Sequence, residues 1–199
     1  MARLAITCFL AATLSTASSL AGTINEPLRA TLLQMARDDQ ESVRIMGADP
    51  SRPLTEAERR QDHETHARNG ALIRKIVQDH GWPGVSLVGD DGAGAAWLVV
   101  QHMDEDPEFQ RRCLELMQHA FAAGEVQPRN LAYLTDRVLS HEGKPQMYGT
   151  QGRGVTSPED EARIDRNRAE IGLPPWHIAV EQRKQEYANG YGGGAATHP

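Results

Sequence analysis

Residues that start and stop α-helices recur along this chain, and they constrain its fold more than any other feature of the sequence. Thr55-Glu56-Ala57-Glu58 has the form of a capping box, in which a hydroxyl and a carboxylate satisfy backbone N–H groups at the start of a helix. Prolines indicate further helix starts at Pro27, Pro107, Pro128 and Pro158. Glycines indicate the stops, namely Gly47, Gly81, Gly124, Gly143 and Gly172.

Apolar residues recur at helical spacing between these signals, as Phe109, Cys113 and Met117 do. The pattern predicts helices that begin near residues 27, 56, 91, 107, 128 and 158, and a last helix over 176–187. The apolar run 84–88 is too isolated to build a sheet, so we expect an extended connector there. We therefore predict an all-α fold. It is a single compact domain over residues 24–188 with six or seven helices and a long polar connection after the fifth.

The first 21 residues are predicted to be a signal peptide. Arg3 gives a cationic start, residues 4–14 are almost wholly apolar, and Ala21 or Ala17 ends a cleavage site of small residues. The apolar run is shorter than the roughly 20 residues that span a bilayer, which disfavours a retained anchor. We expect an exported protein, periplasmic or secreted. The glycine-rich tail 189–199 is expected to be disordered.

Charge and cysteine content narrow the classes of partner and chemistry. Loss of Arg3 with the signal peptide would move the formal net charge from −6 to −7, which argues against nucleic acid or an anionic membrane as the main partner. Cys113 would then be the one remaining cysteine, so no intramolecular disulfide is expected. Its apolar face predicts a buried small hydrophobe rather than a catalytic thiol.

A first polar cluster stands at the end of the third predicted helix and consists of Gln101, His102 and Asp104. An imidazole oriented by a carboxylate is typical of a general base or a metal ligand, so His102 and Asp104 are candidate catalytic residues. The alternative is structural. His102 would then satisfy a carbonyl at the helix end, while Asp104 or Asp106 caps the next helix.

A second polar cluster follows the fifth helix. Two amides, a phenol and a hydroxyl fall between residues 146 and 151, and such groups can orient a sugar or peptide. Arg137, on the fifth helix, could add a cation that binds a carboxylate or phosphate group of the ligand. Alternatively, the glutamine side chains satisfy the backbone of a long connection. With Gln101, the candidate ligand-binding residues are Arg137, Gln146, Tyr148, Thr150 and Gln151.

Two further patches carry weaker signals. His63 and His66 are three residues apart on the second helix and could offer two metal ligands, but no third ligand is in local register and a solvated helix face is favoured. Asp39, Gln40 and Arg44 form a polar patch on the first helix that either lines the same pocket or faces water. We predict no metal site and no cofactor from the sequence.

Three motifs stand out in the sequence, namely His80-Gly81-Trp82-Pro83, Gln101-His102-Met103-Asp104 and Gln146-Met147-Tyr148-Gly149-Thr150-Gln151. With these motifs the chain resembles an uncharacterised bacterial family of domains of unknown function. The resemblance spans about residues 32–173 and includes the Tyr133–Val138 and Arg168–Leu173 segments. It implies a shared helical domain, found in exported and other bacterial proteins, and implies no catalytic residue.

These observations lead to alternative functions. The first is a binding or interaction module whose pocket recognises a small polar ligand or an envelope component, without nucleic acid and without a membrane after signal cleavage. The alternative is a hydrolase-like enzyme of the cell envelope, in which Asp104 orients His102, Arg137 holds an anionic group, and Tyr148 and Gln151 position the substrate. A purely structural role would make both clusters internal hydrogen-bond networks.

Overall fold

The computed structural model describes residues 23–47, 52–152, 155 and 157–188, and within them it contains helices and no strand. The predicted all-α fold is therefore confirmed. The predicted signal peptide and glycine-rich tail lie outside the described residues. The helices are α1 (Glu26–Gly47), α2 (Glu56–His80), α3 (Val85–Gln101), α4 (Pro107–Phe121), α5 (Pro128–His141), α6 (Pro158–Glu170) and α7 (Trp176–Ala188).

The helix starts follow from the capping side chains. The Thr55 hydroxyl accepts a hydrogen bond from the Glu58 N–H at 3.2 Å, and the Glu58 carboxylate accepts from the Thr55 N–H at 2.7 Å, which completes the capping box. Asp106 caps α4 by accepting from the Phe109 N–H at 3.0 Å. Ser157 caps α6 by accepting from the Asp160 N–H at 3.1 Å. These local signals predicted the helix starts correctly.

Residues 85–88 of the run are helical and only Gly84, the N-cap residue, is extended, so the expectation of an extended connector was wrong. Residues from Val85 onward form the first turn of α3, and the helix bends at Gly89, whose φ of 76° and ψ of 168° are not helical. The short turn before the bend is held by a contact from outside the helix, because the Ser86 N–H donates to the Glu125 carboxylate at 2.8 Å. This tertiary hydrogen bond supplies the stability that the weak local helix signal of a short apolar run lacks.

α3 lies at the centre of the domain and packs against α1, α2, α4 and α5. Its small and β-branched side chains allow four helices to pack closely around it, and Ala96 and Val100 are both 0% exposed. Trp97 is buried as well and contacts Tyr133 of α5 edge-on, with ring centroids 6.0 Å apart. Each neighbour of α3 contributes to one core, with Leu32, Ile73, Met117 and Leu134 fully buried.

Cys113 belongs to this core, as its spacing predicted. Its side chain is fully buried, and burial raises the pKa of the thiol to about 12. The thiolate that a nucleophile or metal ligand requires is therefore scarce at neutral pH.

α6 and α7 pack against each other, and the connection over residues 144–151 lies between them and α5. Among the described helices, none is both long and apolar enough to cross a bilayer.

Candidate functional site

His102 lies at the C-terminal end of α3 and contacts a buried carboxylate of α1. Its Nδ1 is 2.8 Å from Oδ2 of Asp39, whose side chain is only 2% exposed, whereas the imidazole is 26% exposed. We assign the proton of a neutral ring to Nδ1, which then donates to Asp39 and leaves Nε2 as an acceptor. Asp39 thus fixes both the orientation and the tautomer of His102.

Two more polar groups surround the Asp39 carboxylate. Gln40 donates its amide N–H to Oδ2 at 3.0 Å, and Nε2 of His66 lies 3.8 Å from Oδ1. Nδ1 of His66 is in turn 3.4 Å from a carboxylate oxygen of Asp62. Within the described part of the chain, no lysine or arginine pairs with Asp39. The buried carboxylate therefore lies beside two imidazoles and pairs with no stronger base among the described residues.

Of the two weaker polar patches predicted from the sequence, only some residues reach the Asp39 site. His63 is exposed and does not join His66 at Asp39, so the two histidines do not form the metal pair that their spacing permitted. Arg44 pairs with Glu41 at 2.6 Å on an exposed face. Asp39 and Gln40 therefore line the site, whereas Arg44 faces water.

Asp104 does not orient His102, which corrects the predicted pair. Its carboxylate instead receives two hydrogen bonds from Nη1 of Arg137, at 2.9 and 3.2 Å. Nε2 of His141 lies 3.6 Å from the same carboxylate. The physical reason is geometric: His102 is turned towards α1, whereas Asp104 follows the helix end and reaches α5.

Gln101 completes the contacts on the α5 side. We assign its amide so that the oxygen accepts from Nε and Nη2 of Arg137, at 2.9 and 3.1 Å. The carboxylate of Asp104 and the amide of Gln101 thus occupy all three nitrogens of this guanidinium. The predicted role of Arg137 as a free cation for a ligand is therefore not available in this arrangement. The polar group at the α3 end comprises Asp39, Gln40, His66, Gln101, His102, Asp104, Arg137 and His141.

The second cluster is centred on Asp136, a residue that the sequence analysis did not predict to be part of the site. Asp136 of α5 is 0% exposed, and its carboxylate accepts from the N–H groups of Met147, Tyr148 and Thr150 at 2.7, 3.0 and 2.8 Å. It also accepts from the Thr150 hydroxyl at 3.0 Å. One buried carboxylate thus replaces the backbone partners that the connection lacks.

The two glutamines of this connection bond to it as well. Oε1 of Gln146 accepts from the Gln151 N–H at 2.9 Å. Nε2 of Gln151 donates to the Tyr133 carbonyl at 3.2 Å and to the Thr150 hydroxyl at 3.1 Å. The side chains that were candidates for a ligand are therefore engaged with the protein itself.

The carbonyl groups of the connection point towards α6 and α7 and are bound there. Arg168 donates to the Tyr148 carbonyl at 2.9 Å, and Nε1 of Trp176 donates to the Gly149 carbonyl at 3.2 Å. Arg163 donates to the Gln146 carbonyl at 2.9 Å. These contacts favour the interpretation that the connection's polar residues stabilise the fold. The residues are Gln146, Tyr148, Thr150 and Gln151.

Tyr148 is itself buried, and burial, with the negative charges of Asp136 and Glu170 as smaller causes, raises the pKa of its phenol. Its hydroxyl therefore stays protonated at neutral pH and is not poised for proton transfer. Tyr148 contributes to this region chiefly through its backbone N–H and carbonyl.

One group of metal-ligand residue types meets elsewhere in the described residues. The ligand atoms of Glu161, Asp165 and His177 all lie within 4.8 Å of one another. Asp165 already accepts from the Trp176 N–H at 2.6 Å, and His177 is exposed. A carboxylate that satisfies the start of α7 explains this group without a metal.

The sequence analysis did not predict that Asp39 contacts His102 or that Asp136 anchors the connection. Asp39 stands 63 residues from His102, so no local spacing could join them. Asp136 did carry a signal, because it lies four residues after Ala132 on α5, and both side chains are 0% exposed. A carboxylate on a buried helix stripe needs several donors.

The fold and the site together define an all-α domain with a half-exposed polar group at one helix end. The chain belongs to the family of unknown function DUF6624, whose model matches residues 26–191. No curated protein and no solved structure matches the chain. Membership of a family of unknown function, which the sequence analysis predicted, is therefore confirmed, and it supplies no activity.

Proposed function

We propose that this domain is an exported binding module that recognises a small polar ligand at the C-terminal end of α3. The observation that carries the proposal is the 2.8 Å contact between His102 and the buried carboxylate of Asp39. A carboxylate that is 2% exposed needs hydrogen-bond donors, and here His102 and Gln40 supply them instead of a lysine or arginine.

The chemistry offered to a ligand follows from this contact. Nε2 of His102 is held as a hydrogen-bond acceptor at the surface, and His66 adds a second half-exposed imidazole, 31% exposed. Asp104, which is 52% exposed, adds acceptor oxygens beyond the Arg137 pair. A hydroxyl-rich or amide-rich molecule, such as a saccharide or peptide of the cell envelope, has matching donors.

The same contact favours a second candidate, a hydrolase-like enzyme with His102 as the general base. A buried carboxylate on Nδ1 and an exposed Nε2 form the arrangement in which imidazole removes a proton from water. His102 would accept that proton while the water oxygen bonds to the substrate, and would return it to the leaving group. Asp39 takes the orienting role that the sequence reading gave to Asp104.

The test is direct binding of peptidoglycan fragments and oligosaccharides to the purified protein by calorimetry, with substitutions at His102. His102→Asn keeps an N–H near the position of Nδ1, so it retains the bond to Asp39 and removes Nε2. His102→Ala removes both. His63→Ala is the matched control, because His63 is an exposed histidine on α2 away from Asp39.

We expect a ligand that binds the wild type and His63→Ala with equal affinity and binds His102→Asn at least about tenfold more weakly. Mass spectrometry of the same mixtures separates the two candidates, since only an enzyme converts the ligand into product. If His102→Asn and the wild type bind every ligand alike, or neither binds any, both candidates fail. A loss of stability in His102→Ala alone would then assign the Asp39 contact to α1–α3 packing.

Export rests on the predicted signal peptide of residues 1–21. It is tested by N-terminal sequencing of the protein recovered from the periplasm or medium, where a start at residue 22 or residue 18 would match the two predicted cleavage sites. An intact N-terminus in the cytoplasm would contradict it.

A further inference from the structure

A cavity of about 140 Å³ lies among α5, the connection and α7, and three arginines line it. We call this cavity the arginine pocket. It is separate from the α3 end, because none of the residues that line it belongs to the polar group there. Its walls include Arg129, Tyr133, Thr150, Arg168, Pro174 and Arg183.

The contacts that hold the three arginines in place involve backbone carbonyl groups and an aromatic ring, and no carboxylate of the described residues. Arg168 donates to the Pro174 carbonyl at 2.6 Å and to the Tyr148 carbonyl at 2.9 Å. The guanidinium of Arg129 lies over the Tyr133 ring, 5.4 Å from its centroid. Within the described residues, no carboxylate pairs with Arg129, Arg168 or Arg183, although nine other arginines of the chain have such a partner.

The charge of the pocket is therefore only partly compensated. Burial lowers the pKa of Arg168, and the nearby positive charge of Arg183 acts in the same direction, whereas Asp165 and Asp136 oppose it. Both acids are already occupied by backbone N–H groups, Asp136 by the connection and Asp165 by Trp176. A guanidinium stays protonated at neutral pH, so like charges remain close together here.

Arg183 supplies an independent sign of a ligand. Nη1 donates to the Thr150 carbonyl at 3.3 Å, but Nε is buried and has no hydrogen-bond partner among the described residues. A buried donor on a charged group normally has an acceptor. The hydrogen-bonding capacity of the Arg183 guanidinium is thus incompletely used within the described residues, which leaves donors for an acceptor that enters the pocket.

We propose that the arginine pocket binds the phosphate group of a small ligand. Three guanidinium groups, from α5, α6 and α7, line one cavity and bring several N–H donors to it, which suits the several oxygens of a phosphate better than a planar carboxylate. A phosphate monoester carries about −1.5 to −2 charge at neutral pH, so it offsets more of the pocket's charge than a carboxylate does. The cavity holds little more than the phosphate group, and the remainder of the ligand extends outwards.

The experiment is calorimetric titration of the purified protein with inorganic phosphate, glycerol phosphate and acetate at constant ionic strength. Direct binding is the readout because phosphate stabilises proteins non-specifically and would raise any melting temperature. Arg129→Gln and Arg183→Gln test the pocket and spare the buried Arg168. Arg166→Gln is the matched control, since Arg166 is an exposed arginine of α6 outside the pocket.

We expect saturable binding of inorganic phosphate and glycerol phosphate to the wild type and to Arg166→Gln. Arg129→Gln and Arg183→Gln should each weaken it at least about tenfold while circular dichroism stays unchanged. No saturable binding, equal binding by the pocket variants, or acetate binding as tight as phosphate would overturn the proposal. His102→Asn should bind phosphate normally, so failure of this site and failure of the proposed function are told apart.

Discussion

Asp136 and Thr150 are joined twice: one carboxylate oxygen of Asp136 accepts from both the backbone N–H and the hydroxyl of Thr150, at 2.8 and 3.0 Å. The two residues stand 14 apart in sequence, and the bonds fold the connection back onto the helix that precedes it. Since the same carboxylate also accepts from Met147 and Tyr148, it is the main anchor of this segment.

Asp136→Asn should lower the free energy of unfolding by about 3 kcal/mol. The substitution replaces one accepting oxygen with an amide N–H group, which then faces buried donors of the connection. Urea denaturation measures the loss. Asp90→Asn removes a charge at an exposed position and should leave the midpoint nearly unchanged; equal midpoints for the two variants would contradict the anchoring role.

Gly149→Ala should destabilise the protein by about 2–4 kcal/mol, because two penalties add. Its φ is +68°, and a Cβ there would stand 2.6 Å from Cδ1 of Trp176. Gly152 has a φ of +71° and open space around it, so Gly152→Ala carries the backbone penalty alone, about 1–2 kcal/mol. Thermal unfolding of both variants isolates the contact with Trp176. Equal losses would show that the connection yields to the extra methyl group.

Glu58→Gln should flatten the acid limb of the stability curve. The Arg52 guanidinium and, to a lesser extent, the Thr55 N–H lower the pKa of Glu58 to about 2. A lowered pKa means that Glu58 stabilises the folded state above its unfolded pKa of about 4.3, and that this contribution is lost as the pH falls towards 2. Urea midpoints across this interval provide the measurement. Glu56→Gln, at an exposed neighbouring position, should keep the wild-type slope.

Cys113 should be unreactive in the native protein. The side chain is 0% exposed, and its thiol has a pKa of about 12 because of burial, so both access and thiolate are scarce. A colorimetric thiol reagent should label the protein without residues 1–21, in which Cys113 is the one cysteine, only after denaturant is added. Rapid labelling at neutral pH without denaturant would show that α4 opens locally.

The helices were predictable because their signals are local. Thr55 and Glu58 stand three residues apart, and their two hydrogen bonds form within a single helical turn. The sequence also contained the buried stripe of α4. The first turn of α3 escaped prediction because the Glu125 carboxylate that holds it belongs to another part of the chain.

The sequence predicted which residues lie at the candidate site, but it did not predict which of them contact each other. Gln101, His102, Asp104 and Arg137 do lie near the end of α3, but helix packing decides that His102 meets Asp39 and that Asp104 meets Arg137. The arginine pocket escaped for the same reason. Its arginines come from α5, α6 and α7, and only the folded chain shows that they lack acidic partners.

The anchoring of the connection by Asp136 also bears on how its amide hydrogens exchange with solvent. The N–H groups of Tyr148 and Thr150 lie outside any helix, yet both are donated to a carboxylate that is 0% exposed. Exchange with deuterium requires these bonds to open and water to reach a carboxylate that is buried in the domain. The segment is irregular in shape, but we expect its amide hydrogens to exchange as slowly as those of the helices that surround it.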